Sequence, residues 1–187
     1  MSPENGGSLR ISRSLEEQDR GTLELLRWFA IQVHYRSEIV TSQLLKEKGY
    51  SIFVPLYRQR KTTSTRTEVR ELPLFGGYAF CQFDPLKRLP ILTTPGVIHI
   101  LGVGKTPVPV EDSEIKALQS IAQSGLTLQP CDYLQVGNRV RVEAGPLHGV
   151  EGILLKKKNE QRLVVSVTLL QRSVAVEFGA EDVSALE

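Results

Sequence analysis

The chain has almost no net charge. Its 187 residues carry 23 Lys and Arg against 21 Asp and Glu, a surplus of +2. That surplus gives no whole-molecule attraction to nucleic acid, so any such contact must come from local clustering. Cysteine is scarce: Cys81 and Cys131 have no metal-ligand spacing. Cys81 lies in an apolar strand pattern and reads as a buried free thiol. No apolar run reaches the ~18 residues a spanning helix needs, and residues 1–22 hold no apolar signal core. These absences predict a soluble protein of the reducing cytoplasm, without membrane contact.

Signs of catalysis are equally thin. His34, His99 and His148 are scattered, and no nucleophile or carboxylate pair accompanies them in a catalytic pattern. No phosphate-cradling G-x-x-x-x-G-K is present; residues 102–105 (GVGK) run into Thr106-Pro107 and read as a loop. The expectation is a binding protein rather than an enzyme, with no cofactor and no metal.

Residues 1–26 are polar, with Gly and Ser, and read as a disordered or frayed extension. Aromatic and β-branched residues at 28–33 predict a strand. Ser37 caps a helix from Glu38 with Val40, Leu44 and Leu45 on one face, and Gly49 ends it. A second strand runs from Ile52 toward Arg60. Residues 58–70 (RQRKTTSTRTEVR) hold five basic groups, Arg58, Arg60, Lys61, Arg66 and Arg70, against one acid, Glu68. Their lack of apolar periodicity predicts a projecting hairpin. It reads either as a solvated face or as a phosphate-contacting loop in which hydroxyls and guanidinium groups meet backbone oxygens. Residues 78–83 predict a buried strand with Phe80 and Phe83 in the core. Asp84-Pro85 starts a helix that Pro90 shortens or kinks. A strand follows at 97–101, then a helix opening at Glu111 or Asp112 with Ile115, Leu118, Ile121 and Ala122 inward, closed by Gly125. This is an α+β pattern with an antiparallel sheet. Residues 123–133 read as a linker.

The stretch 136–154 (VGNRVRVEAGPLHGVEGIL) is the most telling. Val140 and Val142 alternate with arginines as in a half-buried strand, Gly145-Pro146 breaks it, and Gly149 and Gly152 punctuate the return. Such corners need positive φ or close backbone approach. β-branched density at 163–167 and 173–178 adds strands, and about five short strands close a small barrel. Lys156, Lys157 and Lys158 sit at a strand end, either as a solubilising charged turn or as an RNA contact.

The 136–154 spacing resembles a KOW motif. With the aromatic first strand and the basic hairpin leading into residues 73–78 (PLFGGY), it falls in an order that resembles the NusG family of transcription elongation factors. Residues 73–85, 94–102 and 163–178 most resemble the specialised antiterminators of the UpxY-like and RfaH-like kind. The resemblance implies an N-terminal polymerase-binding domain at 27–122 with an antiparallel sheet and flanking helices, and a KOW SH3-like barrel at 134–187. It implies a monomer that binds the RNA polymerase clamp and favours processive elongation or antitermination. The clamp-facing positions are then Trp28, Phe29, Leu74, Phe75 and Tyr78, their rings left exposed beside the Gly76–Gly77 turn. Arg36 and the hairpin residues Arg58, Arg60, Lys61, Arg66 and Arg70 face upstream or non-template DNA. Leu170 and Arg172 mark the barrel's contact with a ribosomal protein or Rho. Three positions depart from the family pattern: Gly76 replaces a turn proline, His34-Tyr35-Arg36 replaces Lys-Pro-Arg, and Leu170 stands where general NusG proteins carry phenylalanine. The alternatives are a housekeeping NusG coupling polymerase to ribosome or Rho, and a ribosome-associated KOW protein that binds RNA.

Overall fold

A computed structural model describes residues 26–62, 67–133, 137–157, 160–177 and 183–186. Residues 1–25 of the N-terminal extension expected at 1–26, the hairpin tip at 63–66 and Lys158 lie outside the described residues.

The N-terminal half is built on a four-stranded antiparallel sheet. Its strands are β1 (Arg27–Val33), β2 (Ser51–Phe53), β5 (Tyr78–Phe83) and β6 (Val97–Ile100), in the order β2-β5-β1-β6. β1 and β5 pair with Phe29 opposite Cys81 and Ala30 opposite Phe80. Side chains alternate across a strand, so this register sorts the aromatics onto two faces. Phe29, Ile31, Val33, Cys81 and Phe83 meet Leu45 of helix α1 (Glu38–Glu47) and Ile91 of the one-turn helix α2 (Leu89–Leu92). Ala30 and Phe80 face the other way, toward Ile115, Leu118 and Ile121 of helix α3 (Asp112–Gln123). Ala122, expected inward on α3, is exposed; the buried stripe on this helix ends at Ile121.

The strand expected from Ile52 toward Arg60 is broken. Pro55 has no N–H for a ladder, and after β2 the chain leaves the main sheet. It continues as β3 (Leu56–Thr62), which pairs only with β4 (Thr67–Pro73) in a separate two-stranded hairpin. The Pro55 carbonyl accepts the Leu74 N–H at 2.8 Å and anchors the hairpin base. The Asp84 carboxylate accepts the Leu86 N–H at 2.9 Å and starts a 3-10 turn at Pro85–Lys87; α2 then begins anew with Pro90 in its first turn. Residues 102–107 form a tight two-stranded turn, β7 (Gly102–Val103) with β8 (Thr106–Pro107).

The C-terminal half is a six-stranded antiparallel sheet. Its strands are β9 (Leu128–Asp132), β10 (Asn138–Val142), β11 (Glu151–Lys157), β12 (Glu160–Val167), β13 (Arg172–Glu177) and β14 (Val183–Ala185), in the order β14-β10-β11-β12-β13-β9. The segment 123–133 is therefore not a linker: β9 lies inside it, paired with β13. The connection shrinks to residues 124–127, and the C-terminal unit starts at 128 rather than 134. Alternation fills the inner face with Val140, Val142, Leu163, Val165, Val167, Val174 and Val176. Two glycines make the corners the sequence demanded. Gly149 has φ +79°, and a side chain on Gly152 would sit 2.6 Å from the Val164 carbonyl oxygen.

One buried cluster runs through both halves. It joins Ala30, Leu74, Phe75, Phe80 and the α3 residues to Leu128, Leu147 and the valines of the C-terminal sheet. At about 25 cal/mol per Å² of apolar surface, such a shared core is the largest stabilising contribution to this arrangement.

Candidate protein and nucleic-acid interface

The Gly76–Gly77 turn links β4 to β5 and carries the predicted aromatic patch. Gly77 has φ +83°, a backbone state glycine adopts without strain. Its N–H donates to the Glu38 carboxylate at 2.6 Å, and Glu38 is itself 2% exposed. The first turn of α1 thus clamps the glycine pair from below. The Tyr78 N–H donates to the Phe75 carbonyl and the Val33 N–H to the Gly77 carbonyl, which locks the turn to the sheet.

The patch is not open. Phe75 is 1% and Leu74 4% exposed, against the expectation of free rings. Phe75 meets Phe80 edge-on, with centroids 6.0 Å apart. From the far half of the chain, Leu169 and Leu170 pack on the same extended cluster. The Arg172 guanidinium lies over the Tyr78 ring at 5.3 Å. A cleft of about 360 Å³ between Leu74, Phe75, Pro130, Tyr133, Gln171 and Arg172 marks the seam. A polar contact closes the other end: the Glu114 carboxylate on α3 accepts from the Thr168 hydroxyl at 2.8 Å and from the Thr168 N–H at 3.2 Å. Arg172, expected to face an external partner, lies instead over Tyr78 of the N-terminal half, and Leu170 is partly buried against the shared cluster. Gln171 between them adopts φ +51°, turning the chain sharply at this tip.

Phe29 cannot share a surface with Trp28. It lies on the opposite face of β1, 2% exposed and 4.5 Å from the Phe83 ring. Trp28 and Tyr78 are half-buried on the α3 side of the sheet. The structure brings Trp28, Leu74, Phe75 and Tyr78 onto one cluster and sends Phe29 to the other.

The basic candidates stand apart from this seam. Arg36 is exposed at φ +70° in the β1–α1 turn, its guanidinium 5.6 Å from the exposed Tyr35 ring. On the hairpin, Arg58 pairs with Glu71 directly across the strands at 3.2 Å, and Arg70 pairs with Glu68 at 2.8 Å. Exposed pairs of this kind stabilise by only ~0–1 kcal/mol, and they reduce the hairpin's net positive field. Arg60 is exposed opposite Val69. Lys61 stands opposite Glu68 in the β3–β4 register, and Arg66 lies outside the described residues.

His34, His99 and His148 are exposed and lie on separate elements. Among the described residues, no group of three or more His, Cys, Asp or Glu could hold a metal ion, and no helix is long and apolar enough to cross a membrane. Burial pushes the Cys81 thiol up to about 12, so it stays protonated and unreactive near neutrality. Both cysteines are free.

Three residues of the site were not foreseen. Glu38 reads in sequence as an ordinary first-turn acid, and Glu114 and Thr168 lie 54 residues apart. No local signal marks such long-range partners.

The comparisons agree with this architecture. Residues 26–119 match the profile of the family described as "NusG: Transcription termination factor nusG". The transcription termination/antitermination protein NusG of Borreliella burgdorferi is 23% identical over 184 residues, covering 85% of this chain and 98% of that protein. The Thermus thermophilus NusG is 28% identical over 148 residues, covering 72% and 79%. The solved structure describing domain interaction in Thermotoga maritima NusG superposes with a TM-score of 0.54 at 17% identity, covering 87% of this chain and 98% of that one. The matched N-terminal half, the relatives that cover 72–85% of the chain and the shared fold together place this protein in the NusG family of transcription factors.

Proposed function

We propose that this protein is an elongation factor that rides on RNA polymerase and acts by occupancy, without covalent chemistry. Trp28, Leu74, Phe75 and Tyr78 supply the adhesive patch for the polymerase clamp, and Phe29 supports them from the far side of the sheet. Arg36, Arg58 and Arg60, with Lys61, Arg66 and Arg70 of the same hairpin, supply a salt-dependent attraction to phosphates of upstream or non-template DNA. The C-terminal sheet is the KOW barrel, with Leu170 and Arg172 at its partner-binding tip. Bound across the polymerase cleft in the cytoplasm, the factor favours the processive state by preferring it to the opened, paused one. This is the action of a specialised antiterminator.

The observation that carries the reading is the apolar cluster at the Gly76–Gly77 turn. Its large aromatic side chains are gathered at a glycine turn, where Phe75 packs edge-on against Phe80 and Arg172 of the C-terminal half lies over Tyr78. Large aromatics of this kind are typical anchors of protein interfaces. The test is retention on core RNA polymerase of the whole protein with Phe75→Ala and Tyr78→Ala. Loss of retention, together with a native circular dichroism spectrum, is expected. Unchanged retention refutes the patch. A transcription assay on a pausing template reads the outcome: shortened pauses are expected, and lengthened ones refute the processive role.

A further inference from the structure

We propose that residues 1–25 bind back onto an apolar knob of their own chain, formed by Leu86, Leu89 and Leu92. These three leucines are 83%, 69% and 39% exposed. Their three-residue spacing sets them along one side of the segment that runs from the 3-10 turn Pro85–Lys87 into α2. Apolar residues scattered singly over a surface are ordinary, whereas a row of neighbours marks a contact. The knob is firmly held. Ile91, buried at 0%, pins it against the sheet on the α1 side. The Asp84 carboxylate caps its start. At its far end the Lys48 ammonium donates to the Pro90 carbonyl at 3.0 Å and to the Thr94 hydroxyl at 2.7 Å. With Ile91 fixed inward the leucines are held outward, so little ordering is needed when they bind.

The point where the chain enters the sheet selects the occupant. Arg27, the first residue of β1, pairs with Phe83, the last of β5. Leu86 follows Phe83 by three residues, ~11 Å at most. Residues 1–25 therefore join the fold at the foot of the knob. Their chemistry matches it. Leu9, Ile11 and Leu15 are apolar, and the acids Glu16, Glu17 and Asp19 come directly after Leu15. On the knob, Lys87 and Arg88 stand between Leu86 and Leu89, with Lys87 exposed. Apolar adhesion is thus joined to opposite charges beside it, which fix the register of a contact. Leu15 precedes Leu26 by eleven residues, and a chain of that length reaches up to ~36 Å, well beyond Leu86. Tethered this closely, the segment meets the knob at an effective concentration of roughly millimolar. An outside partner has no such advantage.

This contact and the aromatic patch lie on opposite faces of the sheet. Ile91 packs with Phe29, Ile31 and Phe83, whereas Leu74, Phe75 and Tyr78 belong to the cluster shared with α3 and the C-terminal half. Residues 1–25 therefore cover the leucines without touching the patch proposed for polymerase, and the two contacts are separately testable.

The test is limited trypsin digestion of the full chain, with cleavage after Arg20 followed by mass spectrometry. One variant carries Leu86→Ser and Leu89→Ser, exposed positions whose change leaves the core intact, as circular dichroism checks. A second carries Leu9→Ser and Leu15→Ser, outside the described fold. Cleavage follows the population of the open form, so each pair of changes should speed it by about tenfold. Combining all four changes should speed it no further, because both pairs remove one contact. No acceleration in either pair, or acceleration in one pair alone, overturns the proposal. Protection of Arg20 that grows with protein concentration puts a second copy on the knob and overturns it as well. So does loss of retention on core RNA polymerase in the Leu86→Ser, Leu89→Ser protein with cleavage unchanged, which assigns the leucines to polymerase instead.

Discussion

Glu38 is the residue on which the geometry of the glycine turn depends, and its replacement has a calculable effect. Its carboxylate is 2% exposed and takes the Gly77 N–H at 2.6 Å. In Glu38→Ala the Gly77 N–H loses a charged acceptor, a loss of ~1.5–3 kcal/mol. The start of α1 also loses a favourable acid, ~0.3–1 kcal/mol. The better helix propensity of alanine offsets ~0.4 kcal/mol. The net is about 1.4–3.6 kcal/mol, which at a urea dependence of ~2 kcal/mol per M lowers the midpoint by roughly 0.7–1.8 M. Glu38→Gln keeps an acceptor at the same reach without the charge and should lose ~1 kcal/mol. Urea titration followed by circular dichroism measures the global effect, and hydrogen exchange at the Gly77 amide measures the local one. That amide should lose protection in Glu38→Ala and keep most of it in Glu38→Gln. A Glu38→Ala protein within ~0.5 kcal/mol of the wild type, below the expected single-bond effect, would refute the clamp. So would a glutamine variant as damaged as the alanine.

Two further predictions concern the cores. Gly152→Asn should destabilise by ~1–3 kcal/mol because any side chain meets the Val164 carbonyl at 2.6 Å. Gly149→Asn, with φ +79° and open space around it, should be nearly neutral since asparagine tolerates that backbone state; thermal melts with equal losses would contradict the distinction. The Cys81 thiol is raised from 9.0 to about 12 by burial, so between those values the unfolded chain sheds a proton that the native one keeps. Stability should therefore fall as pH rises above about 9, by up to ~1.4 kcal/mol per pH unit from this group. The partly covered phenol of Tyr50, also raised by desolvation, acts in the same direction. Cys81→Ala should remove the thiol's share of the slope in urea titrations from pH 9.5 to about 11, and an unchanged slope would refute that assignment.

Much of the N-terminal half was legible because its signals are local. The β1 and β5 patterns, the α1 boundaries at Ser37 and Gly49, and the stripe Ile115, Leu118, Ile121 all rest on residues a few positions apart. Pro55 was available to mark the break between β2 and β3, but the apolar content on both sides masked it. β9 was misread because Leu128–Asp132 has little apolar content of its own; its place comes from pairing with β13, more than 40 residues later. Phe29 was grouped with Trp28 by the family resemblance, although a strand sends neighbours to opposite faces. The fate of Phe75 was beyond any local reading. A ring beside two glycines in an exposed turn and a ring buried in a core have the same sequence, and only the fold brings Phe80 against it and Arg172 to its edge.

The connection between α3 and β9 has only four residues, 124–127. Fully stretched, they span ~14 Å, and Leu126 among them packs on the shared cluster. The Thr127 carbonyl accepts the Glu177 N–H at 3.3 Å, so the join is stitched to β13 as well. A join this short leaves the two sheets little freedom of relative placement, while by loop-closure entropy each doubling of its length would cost only ~0.6 kcal/mol.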